Sequence, residues 1–182
     1  MRRLPWYIAA SGAVAMLAGT TLAQPVNDLC SGALPADCNT VIFGSTVGAT
    51  TDSEFVGCDT GISSPGVWYV IDGTGGSVIV DTCGSGTNYD SKLHAFHGDC
   101  SNAVCVRGND DDPNCGVSSR IEFGTIAGDQ YLLLVSGFGG QTGSFELNIA
   151  CEAVFEDCNG NGVPDDEDIA NGTSTDCNGN DI

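Results

Sequence analysis

The segment Asp157-Cys158-Asn159-Gly160-Asn161-Gly162-Val163-Pro164-Asp165-Asp166-Glu167-Asp168 carries oxygen-bearing side chains at its positions 1, 3, 5, 9 and 12. Position 7, Val163, offers a backbone carbonyl, and Gly162 stands at position 6, where a chain wrapping an ion must turn sharply. Calcium is a hard cation that takes 6–8 oxygens, and carboxylates and carboxamides alternating with small residues let one short loop surround it. The order begins again 19 residues later with Asp176, Asn178 and Asn180, then departs at Asp181, where glycine is expected. The expected cofactor is therefore calcium, held by Asp157, Asn159, Asn161, Val163, Asp165 and Asp168, with Asp176, Asn178 and Asn180 opening a truncated second repeat. The competing reading is a solvated acidic linker with turn-forming Asn-Gly pairs. Asp168 is one methylene shorter than the glutamate usual at position 12, so the expected affinity is modest, on the order of 10⁻⁴–10⁻³ M. Only seven residues separate Asp168 from Asp176, too few for the flanking helices of a regular EF-hand pair.

The loop lies in an unusually acidic chain. Across 182 residues the formal charge is −19, with 24 acidic residues against five basic ones. Such a polyanion repels phosphate backbones and anionic lipid, which excludes nucleic acid and membrane surfaces as partners bound through a basic patch. Residues 152–182 hold nine acidic residues and no basic one, and few large apolar groups, so this tail cannot build a core of its own. At the other end, Met1-Arg2-Arg3, an apolar run from Trp6 to Ala18 and the small residues of Thr21-Leu22-Ala23 have the layout of a secretory signal peptide cut after Ala23. The apolar run is short for a membrane span, so no membrane insertion of the mature chain is expected, and the protein reads as secreted or cell-surface.

Export gives the ten cysteines a meaning, because all of them follow residue 23 and an even count in an oxidising compartment points to disulfides. Zinc is disfavoured by the lack of a C-x-x-C pair. His94 and His97 would face opposite sides of one strand, so they would not share a metal. Eight cysteines from Cys30 to Cys151 leave the pairing open; a Cys105–Cys115 bridge around the acidic loop is the one link suggested.

The elements that must position these residues are strands. Val41–Val47, Val67–Ile71, Ser77–Asp81, Lys92–Phe96, Ser119–Phe123, Tyr131–Val135 and Ser144–Ile149 are rich in β-branched and aromatic residues. Glycine, asparagine, aspartate and serine clusters separate them, as expected of an all-β antiparallel sandwich over 24–151. Phe145, Leu147 and Ile149 alternate with Glu146 and Asn148, one side in and one side out. Tyr131–Val135 is apolar throughout, as in a central strand, and Gly137–Gly143 reads as a hairpin loop to the next strand. Trp68 is expected to be a buried strand residue, with ligand stacking as the alternative. A body of this length buries a sizeable core, so disulfides reinforce the fold without being necessary to it.

Two resemblances follow from these motifs. Asp157–Asp168 with its restart at Asp176 is similar to thrombospondin type 3 and dockerin-like calcium repeats. That resemblance implies the ligand set given above and a Cys158–Cys177 link; the missing longer helix speaks against cohesin docking. Trp68-Tyr69, Val80-Asp81-Thr82-Cys83-Gly84-Ser85, Tyr89-Asp90-Ser91-Lys92-Leu93, Gly108-Asn109-Asp110-Asp111 and Tyr131–Val135 follow in an order that resembles the secreted bacterial pre-peptidase C-terminal domain. This implies a jelly-roll-like β-sandwich that accompanies other domains and is not itself catalytic. It also implies a candidate second calcium site at Asp90, Asp110, Asp111 and Asp112, for which a solvated acidic loop is the alternative.

No G-x-S-x-G elbow or H-E-x-x-H motif is present, and carboxylate pairs in so acidic a chain say little about glycosidase chemistry. The function expected from the sequence is a secreted, non-catalytic, calcium-binding module of a larger extracellular or cell-surface protein. The alternatives are an adhesion domain that binds an extracellular protein or glycan around Trp68 and Tyr89, and an accessory domain of a secreted hydrolase.

Overall fold

The computed structural model describes residues 23–152, which hold nine strands and one short 3₁₀ turn, Cys30–Gly32. The strands are β1 (Leu34–Pro35), β2 (Thr40–Ser45), β3 (Val67–Asp72), β4 (Ser77–Asp81), β5 (Ser91–His97), β6 (Val104–Asn109), β7 (Arg120–Gly124), β8 (Gln130–Gly137) and β9 (Ser144–Cys151). They form two sheets, a five-stranded one in the order β1-β3-β8-β5-β6 and a four-stranded one in the order β2-β9-β4-β7. Strands β2 to β9 thus divide four and four, with first beside last and second beside next to last, which is the strand order of a jelly roll. All the pairings are antiparallel except β1 with β3, where Leu34 and Pro35 run parallel to Tyr69 and Val70. That short parallel edge is the one departure from the antiparallel sandwich expected.

Alternation builds the main core. From the four-stranded sheet, Val78, Val80, Phe145, Leu147 and Ile149 point inward; Tyr69, Leu93, Ala95, Leu133 and Val135 meet them from the other sheet. The five-stranded sheet is also covered on its outer face. There the connection 46–66 between β2 and β3 crosses Trp68, Phe96, Leu132 and Leu134 and packs Phe55 and Ile62 upon them. Tyr131–Val135 is apolar without alternation because β8 is sandwiched between these two cores, as a strand buried on both faces must be.

The loop after β8 differs from the hairpin expected. Gly137–Gly143 leaves β8 in one sheet and enters β9 in the other, so it is a crossover at the end of the sandwich. Gly139 and Gly140 adopt φ of +58° and +85° there, and Thr46 is hydrogen-bonded to Gly143. A glycine-rich reversal serves either connection; β9 goes to the second sheet because its register is taken by β2 and β4.

Four disulfides brace the body: Cys30–Cys100, Cys38–Cys151, Cys58–Cys105 and Cys83–Cys115. The suggested Cys105–Cys115 bridge is therefore wrong. Cys105 sits on β6 opposite Phe96, on the face covered by the 46–66 segment, and pairs with Cys58 of that segment. Cys115 lies in the β6–β7 loop, which folds toward the end of β4 and Cys83. The leader 1–22 and the loop residues Asp157, Asn159, Asn161, Val163, Asp165, Asp168, Asp176, Asn178 and Asn180, with Cys158 and Cys177, lie outside the described residues.

Candidate functional site

Strand β5 and the loops around it gather the charged residues at one end of the five-stranded sheet. Asp90 immediately precedes β5, while Asp110 and Asp111 follow β6, its neighbour. One carboxylate oxygen from each of these three residues lies within 4.8 Å of the others. Asp112 does not join them. Its Oδ1 accepts a hydrogen bond from the Asn114 backbone N–H at 2.8 Å, and the residue lines a separate polar groove with Arg107 and Arg120.

A cation already stands in this cluster. Lys92, one residue into β5, is nearly buried, and its ammonium lies 3.1 Å from Asp110 Oδ2. The ammonium also donates to Thr60 Oγ1 at 3.0 Å and to the Gly61 carbonyl at 3.4 Å, both from the 46–66 segment, with the Phe138 ring centred 5.0 Å away. Asp90 Oδ1 and Asp110 Oδ1 are buried without a hydrogen-bond partner. Loss of hydration raises the Asp90 carboxyl above its ordinary value; Asp110 and Asp111 add to the shift and Lys92 opposes it. The sequence reading named the acids and missed the lysine. Its signal was a lone cation inside an otherwise β-forming, largely apolar stretch.

The other singled-out residues are structural. Trp68 is fully buried and donates from Nε1 to Asp52 Oδ1 at 2.9 Å, while Tyr89 is 8% exposed, so neither ring offers a face to a glycan. His94 and His97 face opposite sides of β5 as expected. His94 is buried against the Thr60 carbonyl at 2.9 Å, and burial lowers its pKa, which leaves a neutral ring whose Nε2–H donates. His97 stacks on Tyr131 and meets Asp129 at 2.8 Å. A second pair of acids also escaped the sequence reading. Asp28 and Asp52 are each 2% exposed; Asp28 accepts from the Thr50 backbone and hydroxyl, and Asp52 Oδ2 has no partner.

The polar groove between β6 and β7, the edge strands of the two sheets, has a volume of about 610 Å³ and includes Asp59, Arg107, Arg120 and Glu122. The guanidinium groups face carboxylates at 3.9 Å (Arg107 to Asp59) and 3.3 Å (Arg120 to Glu122). Among the described residues no helix is long and apolar enough to cross a membrane.

Fold and site together define a disulfide-braced jelly-roll sandwich with a cluster of carboxylates around the buried Lys92 at one end. No family model and no curated protein matches the sequence. Among solved structures, the chain is similar to the pre-peptidase C-terminal domain of a collagenase from Bacillus anthracis, at 17% identity over 64% of this chain and 93% of that one, with a TM-score of 0.42. It is also similar to a periplasmic inhibitor of g-type lysozyme from Aeromonas hydrophila, at 13% identity over 66% of this chain and 96% of that one, with a TM-score of 0.43. The jelly-roll assignment rests on the strand order itself.

Proposed function

We propose that this protein is a secreted, non-catalytic β-sandwich module whose acidic tail binds calcium. The observation that carries the reading is the ligand spacing from Asp157 to Asp168, with its restart at Asp176, in a tail that has nine acidic residues and no cation of its own. Asp157, Asn159, Asn161, the Val163 carbonyl, Asp165 and Asp168 are the proposed ligands, with Asp176, Asn178 and Asn180 opening the second repeat. A divalent ion relieves the mutual repulsion of such a segment and couples its ordering to metal binding. Secretion is supported by the leader-like start of the chain and by the pairing of all eight body cysteines into disulfides.

Of the two acidic groups, the tail is the better calcium candidate. At Asp90, Asp110 and Asp111 the Lys92 ammonium already supplies positive charge, and an incoming ion would have to share Asp110 with it. Cys38–Cys151 braces the end of β9, the last described strand.

Calorimetric titration of the secreted chain with calcium tests this. A saturable heat in the range of about 0.1–1 mM is expected. It should be lost in an Asp157→Ala/Asp168→Ala variant and kept in an Asp111→Ala variant. No heat up to 10 mM calcium (on the order of ten times the weakest expected Kd), or a heat that persists in the tail variant, would refute the reading.

A further inference from the structure

Lys92 is the only lysine of the chain, and it is placed as a reactant would be. Its side chain is 5% exposed, covered by the 46–66 segment and by Phe138. Leu93 pairs with Asn109 across β5 and β6, so Lys92 and Asp110 stand one step further along the same antiparallel ladder. The 3.1 Å contact between Nζ and Asp110 Oδ2 is therefore imposed by strand register and not by a flexible surface encounter. The second oxygen of Asp110 and one oxygen of Asp90 are buried without partners. A buried amine, a carboxyl and a neighbouring acid, the last two partly exposed, are thus held together.

We propose that Lys92 and Asp110 condense into an intramolecular amide, with Asp90 carrying the proton. Within the contact the ammonium gives one proton to the Asp110 carboxylate, leaving a neutral amine beside a carboxylic acid. The Nζ lone pair attacks Asp110 Cγ and forms the C–N bond. Asp90 accepts a proton from the attacking nitrogen and returns it to the Asp110 hydroxyl as the C–O bond breaks and water leaves. One ammonium and one carboxylate become one amide and one water, nothing is oxidised or reduced, and Asp90 ends as it began. Fixed juxtaposition of two reacting groups is worth an effective molarity on the order of 10⁵–10⁸ M. Replacing the buried ammonium and its partner carboxylate by a neutral amide also removes the desolvation penalty of the Lys92 charge. The bond would tie the end of edge strand β6 to β5, complementing Cys58–Cys105 at the start of β6 with a link that reductants leave intact. The inference is independent of the calcium reading of the tail.

Mass spectrometry of the fully reduced wild-type chain tests it without any variant. The expected mass is below that of the chain's own sequence by one water, about 18 Da. Tryptic digestion is expected to show no cleavage after Lys92 and a branched peptide joining Lys92 to the Gly108–Arg120 fragment. Asp110→Ala should restore the full mass, as should Asp90→Ala in a preparation whose disulfides have formed. A wild-type chain of full mass with ordinary cleavage after Lys92 would overturn the proposal. So would a water loss confined to one linear peptide, the mark of succinimide formation at an Asp residue. Branching that survives Asp90→Ala at the wild-type extent would overturn the role given to Asp90.

Discussion

Asp52 shows how one buried group sets a property of the whole domain. Burial, reinforced by Glu54 and Asp28 and opposed by the hydrogen bond from Trp68, pushes its carboxyl from 3.8 up to about 6. The folded chain therefore holds this proton more tightly than the unfolded chain does. The stability it contributes is complete below about pH 4 and is lost as pH rises through about 6. A shift of this size corresponds to about 3 kcal/mol. Asp52→Asn keeps an oxygen for Trp68 Nε1 and cannot ionise. Measured by urea unfolding, wild type should lose about 3 kcal/mol relative to Asp52→Asn between pH 4 and 6 and run parallel to it above that. Profiles that stay parallel across the whole range would show that Asp52 ionises in the fold without penalty. The Trp68 ring, packed at a tilt against Phe55 with centroids 4.5 Å apart, gives a fluorescence signal for the same transition.

At the scale of elements, the sequence made the core strands legible and the edges illegible. β2 to β5 and β7 to β9 all stand close to where the runs of β-branched and aromatic residues put them, because each packs at least one face against the main core. β6 was missed for a physical reason. It is an edge strand, Val104 and Val106 are exposed, and Val106 falls in a bulge that breaks the alternation a strand is recognised by. The 46–66 segment was equally hidden: its Phe55 and Ile62 follow no period, since they meet the sheet from an irregular chain. The carboxylates of the cluster were visible as an acidic run, whereas Lys92 became meaningful only when register placed it opposite Asp110. The disulfide Cys58–Cys105 holds this covering segment to β6, at a sequence separation of 47. Chain-entropy reasoning gives such a closure about 4 kcal/mol. A Cys58→Ser/Cys105→Ser variant should lose roughly that amount. It should also expose Trp68 to collisional quenchers at denaturant concentrations well below global unfolding, because the outer core then opens locally. Quenching that begins only with global unfolding would show the segment is held by its apolar contacts alone.

For the whole molecule the question is what the disulfides add to a sandwich that closes itself. The main core buries Phe145, Leu147 and Ile149 of β9 at 1%, 0% and 3% exposure, and β9 is hydrogen-bonded on both sides, to β2 and to β4. None of those contacts needs Cys38–Cys151, although that bridge spans 113 residues, the widest separation of the four. Its contribution is then chiefly to the unfolded chain, whose freedom it restricts by about 4–5 kcal/mol. A Cys38→Ser/Cys151→Ser variant should keep the wild-type far-ultraviolet spectrum and lower Tm by roughly 10–20 °C. Its calcium titration should match that of wild type, since the proposed ligands Asp157 to Asp168 are supplied by twelve consecutive residues of the tail and none by the sandwich. A variant that is unfolded at room temperature would mean that the two sheets cannot close without the bridge. A calcium heat lost together with the bridge would place the ion's energetics in the junction between sandwich and tail, and not in the tail itself.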